Sequence, residues 1–483
     1  MGIQIKNKDK WSRVLLWGSI FVSTLILLSL CFNEGLDYDE AYSYRTVHDN
    51  SITGIWNVIL QAKDTDIPLW YCSLKVWSWF FGESFFAYKM FSLAGTVATM
   101  VLGSTLIRRI WGNKTALLFI LSVSLSPALM HISVNIRMYT WTIFLVTLCA
   151  LTAYLIVQNP GRRGLWLLLF LTTIASLFSH YFTAFCLLFI YLYLFIELLR
   201  TAKKHIWKML ASGAISAAFF LIWLFCADFF HLVEGEEAMA LSMEKVDFED
   251  MFWFVFHTNV ENSHYMGIGI VLLAFVCLLL FRARFRPGER RFLLLCLGIF
   301  PASYLTAGIL ASAANHFFIP RHVMHGVGLM WLGLAIIFSK VNWKACAAYL
   351  LYIVIMAVSS YGISYKTEYL TIPYLEETKE FIADNMEPGD VVIYNSDDRF
   401  GLLYGCYMPE QIFYYFTEVP DLQELAGKRV WFFLCRDLFF TEETQEQYGI
   451  TYENMGHYGF QIMGDSTDFD ILRLEIRGME NEN

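Results

Sequence analysis

A chain of 483 residues that is 57% hydrophobic and 17% aromatic but only 16% charged, with mean hydropathy +0.48, carries more apolar surface than a water-soluble globular protein needs. Long apolar runs broken by short polar loops indicate a polytopic helical membrane protein, because a helix satisfies its own backbone hydrogen bonds inside lipid, and the runs lack the alternation of a β-barrel. The formal net charge of −9 has meaning only once it is divided by location.

Lys6, Lys8, Lys10 and Arg13 precede a first apolar run, 14–32, about the ~20 residues that cross a bilayer. It is longer than a signal-peptide core, and Phe32-Asn33-Glu34-Gly35 offers no small-x-small cleavage site, so it is expected to stay as a helix. Directly after it stand Leu36-Asp37-Tyr38-Asp39-Glu40-Ala41-Tyr42-Ser43-Tyr44, carboxylates at a membrane mouth. Such acids ordinarily do no more than solvate a helix end. Residues 33–84 form a long outside segment whose second half, 68–81, is apolar but too short to cross. It is read as an interfacial helix with Trp70, Tyr71, Trp77 and Trp79 at headgroup level.

Further spans are expected near 85–107, 115–134, 138–157, 165–179, 181–200, 208–230, 265–281, 292–313, 319–339 and 345–364, about eleven with the first. Arg108, Arg109 and Lys114 fall in one loop, and Arg162 with Arg163 in the next alternate one. Arg200, Lys203, Lys204 and Lys208 follow, then Arg282, Arg284, Arg286, Arg290 and Arg291, then Lys340 and Lys344. All lie on the N-terminal side, which the positive-inside rule makes cytoplasmic; these loops are topogenic rather than nucleic-acid patches. After Tyr365 the composition turns polar and acidic for about 120 residues, enough for a small domain. A helix at 374–385, strands at 390–394 and 430–435 and a hairpin of 460–463 with 469–476 make it an α/β module outside the membrane. No Gly-rich nucleotide loop, zinc-type spacing or nucleophile elbow occurs. Most of the ten cysteines lie in apolar runs; only Cys406 and Cys435 are in a polar region, and spacing leaves open whether they pair.

The candidate chemistry lies among the outside loops. Asp64 and Asp66 precede Pro68, Arg137 and Tyr139 stand where the third span turns into the fourth, His180-Tyr181 where the fifth turns into the sixth, and Arg321-His322 opens the tenth. An isolated Arg at a helix end can snorkel, and a lone His can bond a backbone carbonyl. Here both arginines break a side otherwise poor in positive charge. A carboxylate with two cations suits transfer of a sugar from a polyprenyl phosphate: the carboxylate takes the acceptor's proton, and arginines hold the leaving phosphate.

At these residues the sequence resembles the GT-C superfamily of membrane glycosyltransferases, in particular the bacterial branch of dolichyl-phosphate-mannose-protein mannosyltransferase-like and aminoarabinose-transferase-like enzymes. The ordered features are Asp39-Glu40, Asp64-Thr65-Asp66-Ile67-Pro68-Leu69-Trp70-Tyr71 followed by Phe81-Gly82, Ile136-Arg137-Met138-Tyr139, Ser179-His180-Tyr181-Phe182 and Arg321-His322, spread over residues 10–345. The resemblance implies a GT-C-type fold, Asp39 as base, Glu40 as its partner, Arg137 and Arg321 as phosphate contacts, and His180 as a pocket residue. Tyr139, Tyr181, His322 and Asp66 complete the expected substrate-binding set. Where many relatives read His-Pro-Pro-Leu-Tyr-Tyr, this chain has Asp66-Ile67-Pro68-Leu69-Trp70-Tyr71. No cofactor is fixed by the resemblance, and a divalent metal stays open. The implied partners are a polyprenyl-phosphate-sugar donor, a hydroxyl acceptor on protein, lipid or cell-wall glycan, and the lipids of the plasma membrane. A transporter or lipid-linked sugar flippase is the rival reading, which calls for charges within the spans, broken helices and inverted repeats. A catalytically dead scaffold is the third.

Overall fold

The computed structural model describes residues 2–32, 34–61, 67–227, 285, 287–313, 320–341, 343–363, 373–396, 400–419, 421–435, 441–462 and 465–478. They fall into two compact units, Met1–Phe32 with Asn50–Gly362, and Asn33–Asp49 with Ile363–Asn483.

The described residues of the first unit form helices and the short connections between them. Among the described residues seven helices are long and apolar enough to cross a membrane: Lys10–Leu30, Phe85–Trp111, Tyr139–Gln158, Thr183–Thr201, Lys203–Cys226, Gly288–Leu310 and His322–Lys340. Three shorter apolar helices, Asn113–Leu125, Arg163–Leu177 and Cys346–Ile355, fall on further expected spans. The expected span at 265–281 lies outside the described residues. This is a multi-pass membrane protein. One expected span, 115–134, is not a single rod. Ser126 is extended at φ −72°, ψ 140°, and Pro127 starts a separate short helix, Pro127–Ile132. Proline disfavours the helical conformation of the residue before it but fits the first turn of a new helix.

Two glycines let helices close on Tyr139–Gln158. A Cβ at Gly95 would lie 2.9 Å from the backbone of Thr140 and Trp141, and one at Gly328 would lie 2.8 Å from Ile143 Cγ2. Such close approach favours packing between membrane helices. Polar anchors set the register: Thr140 Oγ1 donates to Ser92 O at 2.7 Å and Trp141 Nε1 to Phe91 O at 2.9 Å. Buried Glu197 is ion-paired with Arg291, and Glu289 with Lys340 at 2.6 Å. The expected short helix is present as Pro68–Phe81, but Trp70 and Tyr71 are buried and Trp77 donates to Ala87 O at 2.9 Å, whereas Trp79 is exposed.

The second unit carries a five-stranded mixed sheet of β1 (Val391–Tyr394), β2 (Ile412–Tyr415), β3 (Val430–Leu434), β4 (Thr451–Ile462) and β5 (Asp465–Glu475), in the order β2-β1-β3-β5-β4. β1 runs parallel to β2 and β3, while β5 runs antiparallel to β3 and β4. All four residues of β1 are buried, as expected for a central strand covered on both faces. Val391, Ile393, Val430, Phe432, Leu472 and Leu474 form one core; Phe433 stacks on Phe469 at 4.6 Å and both rings meet Tyr404. The helix Pro373–Asn385 packs against β4, with Thr378 Oγ1 donating to Gly459 O at 2.9 Å. The expected strands at 390–394 and 430–435 are β1 and β3; the terminal hairpin is longer than expected, and β2 was not foreseen. Cys406 and Cys435 are not joined in a disulfide.

Candidate functional site

The acidic stretch belongs to the second unit and forms the helix Tyr38–His48. Asp37 is its N-cap, its Oδ1 accepting from Glu40 N at 2.7 Å. Glu40 reaches back, its Oε2 accepting from Asp37 N at 3.1 Å. This reciprocal capping box satisfies two of the donors that a helix start leaves open. Glu40 is only 2% exposed, and its carboxylate therefore has a structural task in addition to any chemical one. Glu40, Ala41, Ser43, Thr46 and Val47 are the buried residues of this helix. Asp39 is half-buried, on the same face as buried Ser43 and Thr46, and its carbonyl accepts from Ser43 Oγ at 2.8 Å. Acids in a first turn are favourable to the helix dipole, so two carboxylates here do not strain the fold.

The histidines and Arg137 belong to the first unit. Arg137 ends the turn before Tyr139–Gln158, and its carbonyl accepts from Ser92 Oγ at 3.2 Å. His180 lies in the break between Arg163–Leu177 and Thr183–Thr201. Its carbonyl accepts from Thr183 Oγ1 at 2.7 Å, so the break is held by hydrogen bonds. His322 and His325 lie on the 3-10 helix Pro320–Gly326. At three residues per turn, side chains three apart eclipse, which puts both imidazoles on one face. The His180 ring is 4.5 Å from that of His325, 5.9 Å from His322 and 5.7 Å from Tyr139, and His322 stacks on Phe182 at 5.3 Å.

The hydrogen bonds assign the protons. His180 Nδ1 accepts from Phe182 N at 3.2 Å, so its own hydrogen sits on Nε2 and the ring is neutral. The 3.2 Å contact of His325 Nε2 with that same Nδ1 then requires His325 to be the donor. Its Nδ1 meets Thr142 Oγ1 at 2.7 Å, closing a chain Thr142–His325–His180. Burial first, then His325, His322 and Arg137, push the His180 imidazole well below its ordinary value near 6.5. A guanidinium beside the neutral His180 ring can bind an anion without a charged His180 to desolvate.

Of the expected residues, Arg137, Tyr139, His180 and His322 are thus brought together. Tyr181 packs instead on Phe220, ring centroids 6.0 Å apart. Arg321 lies on the 3-10 helix by its backbone, its side chain falling outside the described residues, as do Asp64 and Asp66 entirely. His325 and Thr142 were missed. The signal for His325 was its position three after His322, readable once a 3-10 turn is known. Among the described residues no group of three or more His, Cys, Asp or Glu could hold a metal ion.

No protein-family model and no curated protein matches the chain. Among solved structures it is similar to ArnT from Cupriavidus metallidurans in the apo state, at 10% identity and TM-score 0.55, over 97% of this chain and 98% of that one. It is also similar to ArnT from the same organism bound to undecaprenyl phosphate, at 11% identity and TM-score 0.56, over 95% and 97%. The chain shares the fold of these ArnT structures.

Proposed function

We propose that the protein is a polyprenyl-phosphate-dependent glycosyltransferase that moves a sugar to an acceptor hydroxyl on the outer face of the plasma membrane. The observation that carries this reading is the gathering of Arg137, Tyr139, His180, His322 and His325 from three distant stretches of chain. A guanidinium and imidazole N–H donors at a helix break suit a phosphate. The likeness to an ArnT structure bound to undecaprenyl phosphate supports a lipid phosphate by analogy of fold.

In the proposed reaction Asp39 takes the proton of the acceptor hydroxyl as its oxygen attacks the anomeric carbon. The bond from that carbon to the phosphate oxygen breaks, and the electron pair leaves with polyprenyl phosphate. Arg137 and Arg321 bind that phosphate, with His180 as a neutral donor. A phosphate ester is a good leaving group, so no strong general acid is needed. Glu40 acts as the partner of Asp39 by fixing the start of its helix. The alternation of basic loops supports a cytoplasmic N-terminus and an extracytoplasmic C-terminal domain.

The test is turnover by the purified full-length protein in lipid nanodiscs, offered undecaprenyl phosphoryl hexoses and pentoses. Release of undecaprenyl phosphate from one of them, by hydrolysis or transfer, is expected. Movement of intact lipid-linked sugar across vesicles without any release would replace the reading with the flippase.

A further inference from the structure

The Tyr38–His48 helix belongs to the same compact unit as the C-terminal domain, which begins more than three hundred residues later. It packs on the helix Phe400–Tyr407, and the attachments run along its whole length. At its entry Tyr407 Oη donates to Glu34 O at 2.8 Å, and Lys379 is ion-paired with Glu34. At its middle the buried Cys406 sulfur lies 3.6 Å from Ala41 O, its one hydrogen shared between that oxygen and Leu402 O at 3.4 Å. At its end the Arg45 guanidinium lies across Gly405, where a Cβ would collide with Nη1, and Arg45 Nε is bonded to Asp49 Oδ2 at 2.5 Å.

We infer that the C-terminal domain is a clamp for the Asp39 helix, with Tyr407, Cys406 and Gly405 as positioning residues that fix where the Asp39 carboxylate stands. The inference rests on Asp39 being the base. Each attachment has the chemistry of a permanent fastening. Burial pushes the Cys406 thiol up to about 12, so it stays a protonated, weak donor rather than a nucleophile. Burial, then Cys406 and Glu40, raises the Tyr407 phenol, which keeps its hydrogen for Glu34. The Lys379–Glu34 pair is largely exposed and adds little, so Tyr407 and the Gly405–Arg45 contact bear most of the weight. Asp39 is half-buried and shares a helix face with buried Ser43 and Thr46. Any roll of the helix on its bed therefore swings that carboxylate sideways, and about 1 Å of misplacement can cost about a hundredfold in rate.

Tyr407→Phe keeps the ring and removes one hydrogen bond; Gly405→Leu fills the place of the Arg45 guanidinium. The full-length double variant is compared with wild type by hydrogen exchange and by turnover of the undecaprenyl phosphoryl sugar that wild type uses. Amides of residues 36–48 should exchange about tenfold faster or more while β1 and β3 stay protected. The kcat should fall about tenfold or more, with affinity for undecaprenyl phosphate within about twofold of wild type. Unchanged exchange of 36–48, or faster exchange with unchanged kcat, overturns the clamp. Should wild type turn over no sugar in the panel, the exchange arm alone decides. Near wild-type turnover in Asp39→Asn overturns the base and leaves the exchange result standing, so the two failures are distinct.

Discussion

Removing the Glu40 side chain tests whether this acid serves the helix or the chemistry. Its Oε2 accepts the Asp37 N–H at 3.1 Å in a residue only 2% exposed, so Glu40→Ala removes a part-buried bond at the start of the helix. Losing half of a capping box costs about 0.5 to 2 kcal/mol, and leaving a buried N–H unmet about 1 to 3 kcal/mol. At about 1.4 kcal/mol per tenfold, a loss near 2 kcal/mol opens the first turn roughly thirtyfold more often. Glu40→Gln keeps an acceptor of the same reach and gives up only the charge. Hydrogen exchange of residues 37–41 in the full-length protein should therefore accelerate strongly in the alanine variant and little in the glutamine one, with turnover following the same order. The reasoning fails if Glu40→Gln abolishes turnover while those amides remain as protected as in wild type, because the charge itself would then be required.

The other expectations concern the cation, the buried histidine and the topology. Arg137→Ala should weaken undecaprenyl phosphate binding about 10- to 100-fold, a charge-assisted hydrogen bond contributing about 1.5 to 3 kcal/mol, and Arg137→Lys should recover only part; equal affinity in all three proteins by calorimetry would remove Arg137 from the phosphate. His180 is held neutral, chiefly by burial, whereas the unfolded chain protonates it near 6.5, so on acidification through that value the unfolded state binds more protons and stability falls. Thermal unfolding in detergent from about pH 7.5 down to about pH 5 should show this loss, and His180→Asn should flatten it; equal slopes would mean that His180 already carries its proton in the fold. A phosphatase fused after Asn483 should be active in intact cells, and an active cytoplasmic reporter there would reverse the orientation.

What the sequence revealed was local. Apolar runs marked the positions of the helices because a span of ~20 residues satisfies its own backbone in lipid. The bounds of Pro68–Phe81 were legible for a similar reason, with Pro68 in the first helical turn and Gly82 closing at φ 85°. The break at Pro127 was equally available and was outweighed by the hydropathy around it. Other features depend on partners far along the chain. The Thr451–Ile462 strand gains its length from pairing with β5 despite a bulge at Asn454/Gly456, and only its apolar end announced itself. The fastening of residues 33–49 to the C-terminal domain rests on contacts such as Cys406 to Ala41, 365 positions apart, which no window of sequence can register. At the site, Arg137, His180 and His322 were visible as charges where runs end. His325 was hidden because a 3-10 turn, not an α-helix, sets its face. Glu40 was legible as an acid, but its place in a capping box follows from the helix start at Tyr38.

The comparison that bears most directly on the proposed chemistry is between Asp39→Asn and Asp37→Asn, measured for turnover and for undecaprenyl phosphate affinity in the folded full-length protein. Asparagine caps a helix about as well as aspartate, so Asp37→Asn should keep the Tyr38–His48 helix and most of the turnover. Asp39→Asn keeps size and loses basicity, and its turnover should fall about 100- to 10,000-fold with affinity within about twofold of wild type. Turnover that is alike in the two variants, with the helix intact in both, would contradict the assignment of Asp39 as the base.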